Sequence, residues 1–220
     1  MSCKATMCEE KVLRNLRKMN IMRYVHVLLI LCCCFFGSDA AALAAPGPTE
    51  QVRPTLKALT DILLDPSLKG DEFKEERRAR IMEHVTQRFD FHEMSQRVIG
   101  SEWRRLSQAE QDYFQKLFTK LLENAYIGKF ESYSGQEIQY TGERVRDDRA
   151  IVSTQIENNG QWLPVDYIMI KKDVQWMVYD INIEGVSLVR NYMEQFRSIL
   201  RRDKFDGLVK LLEEKNRTFE

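Results

Sequence analysis

Beyond residue 34 the sequence has no cysteine: Cys3, Cys8, Cys32, Cys33 and Cys34 are all N-terminal. The rest of the chain therefore offers no disulfide, no thiol nucleophile and no thiolate metal site. Histidine is almost as scarce. Only His84 and His92 follow residue 44, at a separation that matches no common metal-ligand spacing, so no metal site is expected. There is no G-x-S-x-G elbow and no glycine-rich phosphate loop. Charge of one sign is lacking too, with 33 Lys/Arg against 33 Asp/Glu, so nothing global points to nucleic acid. Long apolar runs are missing: a bilayer-spanning helix needs about 20 residues, and the longest candidate, Tyr24–Phe36, has 13 and is interrupted by His26.

That short run fits the core of a secretory signal peptide. Arg14, Arg17, Lys18 and Arg23 precede it, and Ala40, Ala41 and Ala42 follow it. Ala42-Leu43-Ala44 is an A-x-A site, which places cleavage after Ala44. Residues 1–44 are thus expected to be a targeting segment, and residues 45–220 a single exported domain. Initiation at Met19 or Met22 would give a more ordinary signal, leaving residues 1–18 as a misassigned start. Leu29 stands where a lipoprotein signal ending at Cys32 needs a small residue. Residues 1–44 hold six Lys/Arg and three Asp/Glu, so the remainder is acidic by three charges, unlike a polybasic membrane binder.

The remainder reads as helices, then strands, then helices. Val52, Leu56, Leu59 and Leu63 give a helical period over Thr49–Leu64, ended by Asp65-Pro66. Asp71–Arg88 is a charged helix with few apolar positions. Asp90 with Glu93, and Ser107 with Glu110, have capping-box spacing. The second box opens a long helix carrying Phe114, Leu117, Phe118, Leu121, Leu122, Ala125, Tyr126 and Phe130, a wide apolar stripe. Four strands follow over Glu137–Gly142, Arg149–Glu157, Gln161–Lys171 and Gln175–Glu184, joined by turns too short for crossover helices. They predict an antiparallel meander. Gly185 ends the last strand, Val186–Arg201 reads as a return helix, and Asp206 caps a final helix. The expected class is α+β. Strands three and four are apolar on both faces, which fits either helices on both sides or a concave sheet around a cavity.

Asp166, Asp180 and Glu184, on predicted strands, are the best candidates for a general base in a cone-shaped α+β enzyme. The competing expectation, which we favour, is that they face solvent or pair with arginines such as Arg190 and Arg197. A third possibility is an adaptor protein with a solid core.

The run Val178-Tyr179-Asp180-Ile181-Asn182-Ile183-Glu184-Gly185-Val186-Ser187-Leu188-Val189 is more specific. Together with Phe89-Asp90-Phe91, Val98-Ile99-Gly100 with Trp103, Pro164-Val165-Asp166-Tyr167, Asn191-Tyr192 and Phe205-Asp206-Gly207-Leu208, in this order, it resembles the MlaC family, the toluene-tolerance auxiliary proteins of an ABC transport system. The resemblance spans about Val52 to Leu212. It implies a periplasmic, non-enzymatic phospholipid carrier without a cofactor, its cargo held by the acyl chains between a twisted antiparallel sheet and helices. It also implies two partners, an outer-membrane lipoprotein–porin complex and an inner-membrane ABC transporter with a substrate-binding ring, and a role in outer-membrane lipid asymmetry. From apolar positions on facing elements, the expected lipid-binding residues are Leu117, Leu121 and Tyr126 on the long helix, and Val165, Tyr167, Met169, Tyr179 and Ile181 on the sheet. Val186, Leu188, Tyr192 and Phe196 on the return helix complete the set.

Overall fold

The computed structural model describes residues 45–131 and 133–219. The expected signal segment, its cleavage after Ala44 and the side chain of Phe130 lie outside the described part. Helix α1 (Pro48–Leu64) starts with proline in its first turn, where the missing N–H costs nothing. The Gly47 N–H donates to Glu50 Oε2 at 2.9 Å. Two short 3₁₀ turns lead to α2 (Lys74–Arg88). Helix α3 (Phe91–Ile99) is capped as expected, Asp90 Oδ1 accepting from the Glu93 N–H at 3.0 Å. A 3₁₀ segment, Gly100–Arg105, precedes α4 (Gln108–Glu131). Ser107 and Glu110 form the second box: Glu110 Oε2 accepts from the Ser107 N–H at 2.7 Å, and Ser107 Oγ accepts from the Glu110 N–H at 3.4 Å.

The sheet has five strands rather than the four expected, in the order β1 (Ile138–Arg146), β2 (Arg149–Asn158), β3 (Gln161–Lys172), β4 (Gln175–Ile183), β5 (Val186–Ser187), all antiparallel. Two boundaries differ for clear reasons. Gly142 does not end β1; the register shifts between Tyr140 and Gly142, a bulge that lets pairing continue to Arg146. Glu184 and Gly185 both have positive φ (51° and 84°), the signature of a two-residue hairpin turn, so the chain folds back and pairs Val186 with Ile183. Val186 is therefore a strand residue, and the return helix α5 starts at Leu188.

Helix α5 (Leu188–Arg217) is two helices merged across a kink at Lys204. The break falls two residues before Asp206, the expected cap. Lys204 has φ 61° and ψ −167°, a region essentially reserved for glycine. Three residues on, a Cβ on Gly207 would lie 2.3 Å from Asp203 Cβ, so the sharp turn needs a glycine there.

Two apolar bodies organise the domain. One face of the sheet packs on α1 and α2 through Val52, Leu56, Leu59, Ile81, Ala150, Val152, Met169, Trp176 and Val178. The other body is helical, built by α3, α4 and α5 around Met94, Val98, Phe114, Phe118, Phe196, Leu208 and Leu212. The free edge of β4 is covered where the Asp90 N–H donates to the Val178 carbonyl at 2.8 Å.

Candidate lipid-binding site

The inner face of the sheet loses burial steadily from one end to the other. Register places Ala150, Met169 and Val178 side by side, and all three are buried. The next row is Val152, Tyr167 and Ile181, with Ile181 half-buried. Then come Thr154, Val165 and Ile183, and last Ile138, Ile156 and Leu163, where every member is half-buried. Helix α1 repeats the gradient: Val52, Leu56 and Leu59 are buried, Ile62 and Leu63 half-buried, and Leu64 is 42% exposed. Leu64 lies beside Gly135, just before β1, so both gradients open at the same end.

The opposite end is tied shut by polar contacts. Gln51 Oε1 accepts from the Trp176 N–H at 2.9 Å and from Arg88 Nη1 at 3.0 Å, while its amide donates to the Val174 carbonyl at 3.0 Å. The geometry is a wedge, sealed near Gln51 and apolar but unsealed near Leu163. Tyr167 is buried within it, which pushes its phenol well above the ordinary tyrosine value and keeps it neutral.

The helical body is aromatic. Phe118 packs against Tyr192 (5.3 Å between ring centres), Phe196 (6.0 Å) and Phe114 (5.8 Å). Burial, with Tyr126 close by, pushes the Tyr192 phenol up to about 12. Helix α4 serves both bodies, giving Leu121 and Leu122 to the helices and Ile127 to the sheet.

The expected lipid-binding residues divide accordingly. Leu121, Leu188 and Phe196 are buried in the helical body, with Leu117, Tyr126, Tyr179 and Tyr192 partly buried against it. Val165, Tyr167, Met169 and Ile181 belong to the sheet body. Val186 joins neither and is 59% exposed on β5. Sequence reasoning passed over Ile62, Leu63, Ile156, Leu163 and Ile183, which form the unsealed end. The signal for Ile156, Leu163 and Ile183 was the strand alternation itself, carried on to the ends of β2, β3 and β4, and for Ile62 and Leu63 it was the apolar last turn of α1.

The acids have structural work. Asp180 Oδ1 accepts from the Val189 N–H at 2.9 Å and Oδ2 from Ser187 Oγ at 2.5 Å, which anchors the start of α5. Asp166 accepts from Ser153 Oγ at 2.6 Å. Of the expectation that they face solvent or pair with arginines, Glu184 meets the first part; among the described residues none of the three pairs with an arginine, and Arg190 pairs with Glu194. A separate surface concavity of about 640 Å³ lies between Phe91 and Met177, with Lys172 and Asp90 paired at its wall.

The MlaC protein family matches residues 53–214. The chain belongs to the MlaC family. Among relatives, the intermembrane phospholipid transport system binding protein MlaC of Haemophilus influenzae is 28% identical over 119 residues. That match covers 51% of this chain and 56% of the relative, so the chain spans little more than half of the curated protein it resembles. A solved structure, a phospholipid-binding protein from Ralstonia solanacearum in complex with a phospholipid, superposes with a TM-score of 0.74 at 27% identity. It covers 79% of this chain and 99% of that one. The α+β architecture with its antiparallel sheet is thus shared with that phospholipid-binding protein.

Proposed function

We propose that this MlaC-family chain is an exported periplasmic carrier that holds a phospholipid by its acyl chains and moves it between the outer and inner membranes. The observation that carries the reading is the likeness, along 99% of its length, to a protein solved with a phospholipid bound. The unsealed wedge supports it. Half-buried apolar side chains at Ile156, Leu163, Ile181 and Ile183, facing Ile62 and Leu63, are surface that an acyl chain can cover. The chains lie along α4, from Leu117 and Leu121 to Tyr126, with Val165, Tyr167 and Ile181 beneath them, while Met169, fully buried at the sealed end, packs behind that layer and does not touch the cargo. Tyr179, Leu188, Tyr192 and Phe196 close the helical side. The exposed Val186 belongs to the rim.

Energetics limits what such a carrier does alone. Burying a CH₂ is worth about 0.8 kcal/mol, so two acyl chains gain roughly 20 kcal/mol against water. A bilayer offers the tails nearly the same gain, so transfer is close to neutral. Direction therefore comes from partners: in this reading, an outer-membrane lipoprotein–porin complex and an inner-membrane ABC transporter with a substrate-binding ring. The cargo is substrate rather than cofactor, and no residue is assigned a catalytic task.

The test is native mass spectrometry of the chain from Ala45, exported to a periplasm and purified without detergent. The expected result is a mass excess of one phospholipid, identified by organic extraction. A ligand-free mass, together with no uptake from labelled liposomes, would overturn the reading.

A further inference from the structure

A second cavity, of about 330 Å³, opens between α4 and the C-terminal half of α5, and its chemistry differs from the wedge. Its lining is Lys116, Leu117, Lys120, Glu213, Asn216 and Arg217. Three cations converge there against one carboxylate. That carboxylate, whose Oε1 accepts from the Tyr113 hydroxyl at 2.6 Å, keeps its charge, and the cations outnumber it. Lys120 has Glu123 at 3.2 Å, whereas among the described residues neither Lys116 nor Arg217 has an acidic partner. Unpaired cations gathered around one concave space repel each other unless an anion joins them.

The floor carries one apolar side chain, Leu117. Leu117 is half-buried and packs on the helical body formed by Phe114, Phe118, Leu121 and Leu212. Asn216 is 93% buried beside it, its amide donating to the Leu117 carbonyl at 3.0 Å and its Oδ1 accepting from Asn124 at 3.5 Å. The cavity thus pairs a cationic rim with that apolar side chain on the helix that reaches both apolar bodies. Such an arrangement suits an amphiphile with a phosphate at one end.

Resting on the carrier reading, we propose that Lys116, Lys120 and Arg217 bind the phosphate of the cargo head group and give the protein a preference for net-anionic phospholipids. Arg217 supplies a planar fork for two phosphate oxygens, and the lysines act as point charges. A zwitterionic head group brings its own cation into the same space and gains less.

The experiment offers vesicles of equal phosphatidylglycerol and phosphatidylcholine to the wild-type chain and to a triple Lys116→Gln, Lys120→Gln, Arg217→Gln variant. Bound lipid is then counted by native mass spectrometry. Wild type is expected to extract phosphatidylglycerol preferentially. The variant is expected to lose at least about tenfold of that preference, phosphatidylglycerol loading falling much further than phosphatidylcholine loading. The single variants Lys116→Gln and Arg217→Gln, at exposed side chains, should each show part of the loss even if the triple variant folds poorly. An unchanged lipid ratio in folded variants would overturn the proposal while leaving the carrier reading intact. Absence of any lipid on wild type would instead overturn the carrier reading. Inorganic phosphate serves as the tail-less competitor. If it displaces phosphatidylglycerol as effectively as lipid vesicles do, the site reads free phosphate and the head-group assignment fails.

Discussion

The side-chain amide of Asn216, near the end of the chain, donates a 3.0 Å hydrogen bond to the main-chain carbonyl of Leu117 in the middle of α4. It is a buried polar link between segments 99 residues apart, and it fixes the C-terminal half-helix against the helical body. Leu208 and Leu212, both fully buried, hold the same half-helix by apolar contact. Asn216→Ala removes the link and leaves Asn124 without its acceptor. The expected cost is about 1–3 kcal/mol of unfolding free energy, measured as a lower urea midpoint at unchanged slope.

Lys204 holds a backbone conformation that costs a non-glycine residue of order 1–3 kcal/mol. Lys204→Gly should therefore raise the urea midpoint despite glycine's greater freedom in the unfolded chain. Gly207→Ala should do the opposite, because its new Cβ meets Asp203 Cβ at 2.3 Å and the two helix halves must move apart. A stabilised Gly207→Ala variant would mean that the kink relaxes easily, without the steric conflict described.

The turns of the chain show where sequence reading stops. Capping boxes at Asp90 and Ser107 were legible because their chemistry is local, as was the Asn159-Gly160 turn, where both residues have positive φ. Strand β5 was not legible. Glutamate at position 184 gives no hint of a positive φ, so Glu184-Gly185 read as a strand end rather than a hairpin. The break at Lys204 was legible, falling between the return helix expected to end at Arg201 and the cap at Asp206, although a lysine gives no hint of the positive φ that makes it. In the site, alternation along β3 assigned Val165, Tyr167 and Met169 correctly to one face. It said nothing of depth along that face, since a period of two fixes direction and not the distance to the next helix. The unsealed end at Ile156 and Leu163 therefore appeared only in three dimensions.

Alkaline pH should weaken the fold once it passes the range in which exposed tyrosines ionise. Burial raises the Tyr192 phenol from the ordinary 10.0 to about 12, and also raises Tyr126 and Tyr140. Between these values the unfolded chain has released its proton while the folded chain keeps it. The contribution of Tyr192 is thus fully present below pH 10 and is lost as pH rises toward 12. Urea midpoints of wild type should fall across this window, and those of Tyr192→Phe should fall less. Parallel curves for the two proteins would show that Tyr192 is not the titrating group.

Ile156 and Leu163 pair across β2 and β3 at the unsealed end, whereas Met169, six pairs further along the ladder, is fully buried. The two places should answer mutation in opposite ways. Met169→Ala leaves a hole in close-packed surroundings and should cost about 2–5 kcal/mol. Molecules that remain folded should still carry lipid, because the cavity sits at the sealed end. Ile156→Gln with Leu163→Gln touches only half-buried side chains, so stability should change by about 1 kcal/mol or less. The same pair puts two amides where an acyl chain would lie, and an amide without a partner in apolar contact costs about 1–3 kcal/mol. Phospholipid load by native mass spectrometry should therefore drop in the double variant at nearly constant melting temperature. A double variant that melts early and loads normally would make this end the margin of the core, and the acyl chains would have to lie elsewhere along α4.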